Sequence, residues 1–186
     1  MSSVIRIGII SDTHNLVRPE ALDALRGCEH IIHAGDICNP AVLDTLNELA
    51  PVTAIRGNND SGARIDDLPE ARTFRIGDTV IHVVHDIADV PKQLDGIDVV
   101  VTGHSHKPLV ERRGATLFVN PGSAGPRRFK LPVTLGIMLI EAGEAQVEIV
   151  RLVECMDRHR LAMQWAKSKE AVPRWWKRPL CFNAFN

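Results

Sequence analysis

HIIHAGDICNPAVLDTLNELAPVTAIRGNND, His30 to Asp60, decides how this chain folds. The apolar run at its start ends in Gly35 and Asp36, and Asn39 with Pro40 then supplies a helix cap and a first helical residue whose φ is already set. PAVLDTLNELA therefore predicts a helix, and PVTAIRGNND predicts a strand that runs out into Gly57, Asn58, Asn59 and Asp60. The same grammar precedes it: VIRIGII predicts a buried strand, and RPEALDALRG a helix stopped at Gly27. Strands alternating with helices in this way demand parallel pairing through right-handed crossovers. After residue 68 the pattern changes to ARTFRIGD, TVIHVVHD, IDVVVTGHSH, PLVERRG, ATLFVNPGS, VTLGIMLIEAG and AQVEIVRLVE, strands joined mainly by short turns, with room for one brief helix near PKQLDG. The expected fold class is α/β, with two sheets packed together and helices outside.

At 45% hydrophobic and 24% charged, the 186 residues fit a globular domain rather than a disordered or fibrous chain. Cys28, Cys38, Cys155 and Cys181 have no CxxC spacing, and the first apolar run is short and interrupted by Arg6, so a reduced, cytoplasmic protein with no membrane span is expected. Residues 154–186 hold seven Lys and Arg against three Asp and Glu, although the whole chain has a formal charge of −1. Trp165, Trp175 and Trp176 also lie there. The expected organisation is a domain over residues 1–153 and a basic, Trp-containing extension over 154–186, packed on that domain. Its aromatic and basic residues also suit nucleic-acid contact or a homo-oligomer surface.

The unusual polar residues cluster at predicted strand ends. Asp12 and His14 follow the first strand, His33 and Asp36 the second, and Asn58, Asn59 and Asp60 the third; His85 ends TVIHVV, and His104 and His106 end DVVVT. In open α/β sheets these ends share one edge, and the i, i+2 spacing of extended chain aims paired side chains to one side. Imidazole nitrogens with carboxylate and amide oxygens suit Mn2+, Fe2+, Zn2+, Ni2+ or Co2+, and the missing thiolates exclude a structural zinc knot. Asp12, His14, Asp36, Asn58, His85, His104 and His106 are too many ligands for one such ion. Two ions about 3.5–4 Å apart would use them all, with Asp36 as the bridge, and such a pair is suited to in-line attack at phosphorus. Gly35, Gly57 and Gly103 each precede a proposed ligand and are read as sharp turns.

SDTH (11–14), HAGD (33–36), GNND (57–60), His85 and GHSH (103–106) resemble, in order, the signatures of the calcineurin-like metallophosphoesterases. NPGSAGPRRF (120–129) is similar to the small bacterial and archaeal branch that includes the retromer subunit Vps29. The resemblance spans roughly residues 4–152 and implies a four-layer αββα sandwich of two mixed sheets flanked by helices. It assigns Asp12, His14, Asp36 and His106 to one ion, and Asp36, Asn58, His85 and His104 to the other. The implied activity is phosphodiester hydrolysis of a small phosphate ester by metal-activated hydroxide, with Mn2+ as the leading metal. Phosphomonoesterase, nuclease and Vps29-like docking functions are the alternatives.

Two positions depart from the family pattern. Asn59 stands where a His is common, and can donate a hydrogen bond to phosphate but not a proton to a leaving group. Asp86 follows His85 where Gly is common. Asp60 is expected to orient Asn59 or His104 and His33 to bond a ligand residue, while His30 and His82 are left outside the site. NPGS is expected to wall the site, and Arg127 and Arg128 to lie in a solvated loop.

Overall fold

The computed structural model describes residues 4–153. Residues 154–186 lie outside the described residues, and the readings of the extension's tryptophans, basic residues and packing fall there.

Alternating helix and strand signals build the first half as predicted. β1 (Ile5–Ile10), α1 (Pro19–Leu25), β2 (His30–His33), α2 (Pro40–Asn47) and β3 (Val52–Ala54) follow one another, and β1 pairs with β2, and β2 with β3, in parallel. Asn39 caps α2 by accepting from the Ala41 N–H at 3.0 Å, with Pro40 in the first turn. The second half supplies β4 (Ala71–Ile76), β5 (Thr79–Val84), β6 (Val99–Val101), β7 (Leu109–Arg113), β8 (Thr116–Asn120), β9 (Thr134–Glu141) and β10 (Glu144–Arg151). Two mixed five-stranded sheets result, ordered β10-β9-β1-β2-β3 and β4-β5-β6-β8-β7.

Period-two alternation sorts the apolar side chains between two cores. Ile7, Ile9 and Ile32 meet Ile81, Val83, Val99 and Val101 between the sheets. Ile10 and Ile31 turn the other way, onto Ala21 and Leu25 of α1 and Val42 and Leu46 of α2. Each fully buried Ile or Leu contributes roughly 1.5–3 kcal/mol relative to exposure. Among the described residues both α-helices cover the first sheet, through Ala21, Leu25, Val42 and Leu46, and β5 and β6 of the second sheet pair in parallel.

The β5–β6 connection differs from expectation. PKQLDG is irregular apart from one bend and a turn, whereas the single-turn 3-10 helix lies earlier, at Ile87–Asp89. Asp86 selects that place, since its carboxylate accepts from the Ala88 N–H at 3.0 Å. No helix among the described residues is long and apolar enough to cross a membrane.

Candidate metal centre

The exits of β1, β2, β3, β5 and β6 bring the seven expected ligand residues to one edge of the sandwich, with both sheets contributing. Asp36 sits in the middle: Oδ1 is 3.4 Å from His85 Nε2 and Oδ2 is 3.7 Å from His14 Nε2. On one flank His14 Nε2 lies 3.4 Å from His106 Nε2, which lies 3.2 Å from Asp12 Oδ1. On the other, Asn58 Oδ1 is 3.2 Å from His85 Nε2 and 2.9 Å from His104 Nδ1. Donor atoms within 4.8 Å of one another define two triads, Asp12–His14–His106 and Asp12–Asp36–His85.

The backbone is bent to achieve this. Asp12, His14, Asp36, His104 and His106 all adopt left-handed φ, between 43° and 63°, a region costly for side chains other than glycine. Gly35 shares it at φ 91°. Gly57 and Gly103 do not, contrary to the expectation of sharp turns; they are glycine for want of space. A Cβ on Gly57 would strike the backbone nitrogen and carboxylate of Asp36, and one on Gly103 would strike Ser11 Oγ.

Partners around the centre aim its lone pairs inward. Ser11 Oγ donates to Asp12 Oδ2 at 2.7 Å, while Asp12 Oδ1 is buried without a hydrogen-bond partner among the described residues. His85 Nδ1 bonds the Ala34 carbonyl at 2.7 Å, which leaves Nε2 facing Asp36 as a lone pair when the ring is neutral. A buried carboxylate oxygen with no donor is costly, and converging imidazole and carboxylate lone pairs fit divalent cations. Burial by itself would raise the Asp36 carboxyl, but hydrogen bonds from His85 and Asn59 outweigh it and hold the group well below the usual carboxylate range. For His85 burial acts downward, and the bonds to Asp36 and Ala34 outweigh it and raise it. Burial lowers His14.

Other expectations are revised. Asn59 turns onto Asp36 with both of its donors: the backbone N–H bonds Oδ1 at 2.9 Å and the side-chain amide bonds Oδ2 at 2.7 Å. Asp60 orients neither Asn59 nor His104. Its buried carboxylate instead accepts from the Cys38 N–H at 2.6 Å and the Gly57 N–H at 2.8 Å, tying together the loops after β2 and β3. Asp86 lies beside the site, its Oδ2 3.5 Å from His104 Nε2. Arg128 is not merely solvated, because its guanidinium reaches His14 Nε2 at 3.2 Å. Ser11, Cys38 and Asn120 were not singled out as individual contributors: Cys38 Sγ is 3.6 Å from His14 Nδ1, and the Asn120 amide donates to the Gly103 carbonyl at 2.6 Å. Ser11 and Asn120 lie inside the quoted SDTH and NPGS stretches, which was the available signal.

His33 bonds the hydroxyl of Thr13 at 3.0 Å rather than a ligand side chain. Burial pushes its pKa down to about 3. An unfolded chain protonates the same imidazole near pH ~6.5, so the folded state loses ground as protons are offered to both. Stability of the metal-free protein should be complete above pH ~6.5 and fall by up to ~1.4 kcal/mol per pH unit below it. Urea unfolding at pH 6.5 and 5.0 measures the slope. His33→Gln should flatten it, and equal slopes in parent and variant would refute the assignment.

Comparison with known proteins gives a consistent picture. The profile of the calcineurin-like phosphoesterase superfamily domain matches residues 5–143. A protein of Methanothermobacter thermautotrophicus named "Probable metallophosphoesterase" is 34% identical over 161 residues, 78% of this chain and 91% of its own. A phosphodiesterase of Methanocaldococcus jannaschii is 29% identical over 161 residues, 75% of this chain and 95% of its own. Vacuolar protein sorting 29 from Cryptosporidium parvum shares the fold, with a TM-score of 0.65 at 19% identity over 81% of this chain and 99% of its own.

Proposed function

Because this chain belongs to the calcineurin-like phosphoesterase superfamily, in the small archaeal and bacterial metallophosphoesterase branch, we propose that it is a phosphodiesterase using two divalent ions, Mn2+ foremost. Asp12, His14, Asp36 and His106 hold one ion, and Asp36, Asn58, His85 and His104 the other. The observation that carries this reading is the central Asp36 carboxylate, with one oxygen toward His85 and the other toward His14. Bound divalent ions would supply Lewis acidity at the phosphoryl oxygens and a water acidic enough to attack near neutral pH.

The chain's own residues do the rest. Ser11 occupies one oxygen of Asp12 and keeps the other free. His85 is oriented from behind by the Ala34 carbonyl, a partner of the kind that fixes the tautomer of a ligating imidazole. Asn59 steadies Asp36 and presents no proton for a departing alkoxide, so diesters with stable leaving groups are favoured over alkyl monoesters. Asp60 serves the site by holding its loops. A Vps29-like docking role has the shared fold in its favour, but it gives no use to so complete a donor set.

The test strips the protein with a chelator, restores Mn2+, Ni2+, Zn2+ or Mg2+, and compares bis(p-nitrophenyl) phosphate with glycerol phosphate. Diester turnover should vanish and return with metal, while the monoester stays a weak substrate. Asn59→His should raise the monoester-to-diester ratio, general-acid help being worth ~10²–10⁴ in rate. Absence of bound metal after reconstitution would overturn the mechanism, and a parent enzyme that prefers the alkyl monoester would overturn the substrate class.

A further inference from the structure

Two cavities open beside the centre, each of about 270 Å3, and they share the Asp86–His104 pair as a common wall. Pockets that enclose a whole small ligand run to ~300–1,000 Å3, so each suits one portion of a molecule. Their chemistry differs. The first reaches Asn58 and His85 and carries Arg56, Glu70, Asp86 and Asp89. Arg56 is already engaged by Glu70 at 2.6 Å, and of the two remaining carboxylates that line the cavity Asp86 already accepts from the Ala88 N–H through Oδ1 and faces His104 with Oδ2, so its spare lone pairs and the carboxylate of Asp89 are what can accept from a ligand. The second is mostly apolar and is walled by Ile87, Pro108 and Leu109 next to Gly103 and His104.

Resting on the phosphodiesterase reading above, we propose that these cavities are the two arm-binding subsites, and that the substrate class is an asymmetric phosphodiester with one apolar or aryl arm and one polyol or sugar arm. A diester held at phosphorus must send its two arms in different directions, and the Asp86–His104 partition separates them. Ile87, Pro108 and Leu109 cover the apolar arm. Asp86 and Asp89 accept hydrogen bonds from the hydroxyls of the other, and their negative charge disfavours an anionic or aromatic group there. Asp86, the residue that replaces the usual glycine after the β5 histidine, builds the partition and so acts as a specificity-determining residue.

Two p-nitrophenyl diesters test the idea on the metal-reconstituted full chain, one with a 2,3-dihydroxypropyl second arm and one with a phenyl second arm. The nitrophenyl group takes the apolar cavity in both, so the dihydroxypropyl ester should show a KM about tenfold lower, the scale on which a single well-matched group is discriminated. Asp89→Leu should remove or reverse that preference. Independently of turnover, phenylphosphonate should shift the methyl NMR resonances of Ile87 and Leu109 while leaving that of Leu46, in the helical core, in place. Turnover with equal KM values, or with a preference for the phenyl ester, overturns the two-arm assignment alone. If neither ester turns over but the Ile87 and Leu109 methyls shift, the apolar subsite stands and the phosphodiesterase reading falls. Unmoved methyls overturn the subsite.

Discussion

Asp36→Asn is expected to lower occupancy at both metal positions together and to reduce diester turnover at least about a thousandfold. One charge acting at ~4 Å through an effective dielectric of ~20 is worth about 4 kcal/mol, or roughly three orders of magnitude. Asp36 is the residue within 4 Å of imidazoles on both flanks, so no neighbour substitutes for it. His85→Ala should differ in kind, weakening mainly the position shared by Asn58 and His104. Elemental analysis of the reconstituted variants separates the two patterns. A thermal melt of each metal-free variant checks that the fold has survived, since metal binding itself stabilises the folded state. Two ions retained per chain in Asp36→Asn would remove the bridge from the mechanism.

Gly57→Ala is expected to damage the centre without replacing any ligand residue. The added methyl would overlap the Asp36 backbone nitrogen and carboxylate and lie 3.0 Å from His85 Cε1. The nearest of these neighbours is backbone held by the β2 exit and cannot swing aside, so the loops must part. Overpacking of this sort costs about 1–3 kcal/mol, and the same movement pulls Asp36 away from His14 and His85. Denaturant unfolding should report the stability loss, and metal titration a weakened affinity at both positions. An unchanged unfolding midpoint with undiminished metal affinity would show that the close approach at Gly57 is dispensable.

The framework and the gathering of the candidate residues at one edge were legible because both depend on local periodicity. Helix and strand signals alternate through residue 60, parallel strands end on one edge, and a donor placed just after each strand must arrive there whatever the loops do. What the sequence concealed depends on separations that no local pattern encodes. Asp60 sits in the motif as if to orient Asn59 or His104, yet its carboxylate is claimed by the Cys38 N–H, from a loop 22 residues away. Asn59 sits in the right motif but turns inward to Asp36, a choice made by the proximity of two loops. Gly57 and Gly103 share the glycine signal of Gly35, but only Gly35 uses left-handed backbone; the other two yield room to neighbouring chain. Asp86 carried a readable cap signal for Ile87–Asp89, overshadowed by the proline and glycine of the segment that follows.

The left-handed backbone at Asp12, His14, Asp36, His104 and His106 also bears on how such a protein evolves. Each non-glycine residue in that conformation costs on the order of 1–3 kcal/mol, against a net stability for ordinary domains of only ~5–15 kcal/mol. Glycine or asparagine at any of these positions would relax the chain, so selection for robustness alone pushes toward losing the donors one at a time. A lineage that abandoned hydrolysis would have an easy downhill route to a sturdier scaffold. Here all five positions still carry Asp or His, which tolerate left-handed backbone better than branched side chains but less well than glycine, and activity and durability pull this edge of the sandwich in opposite directions.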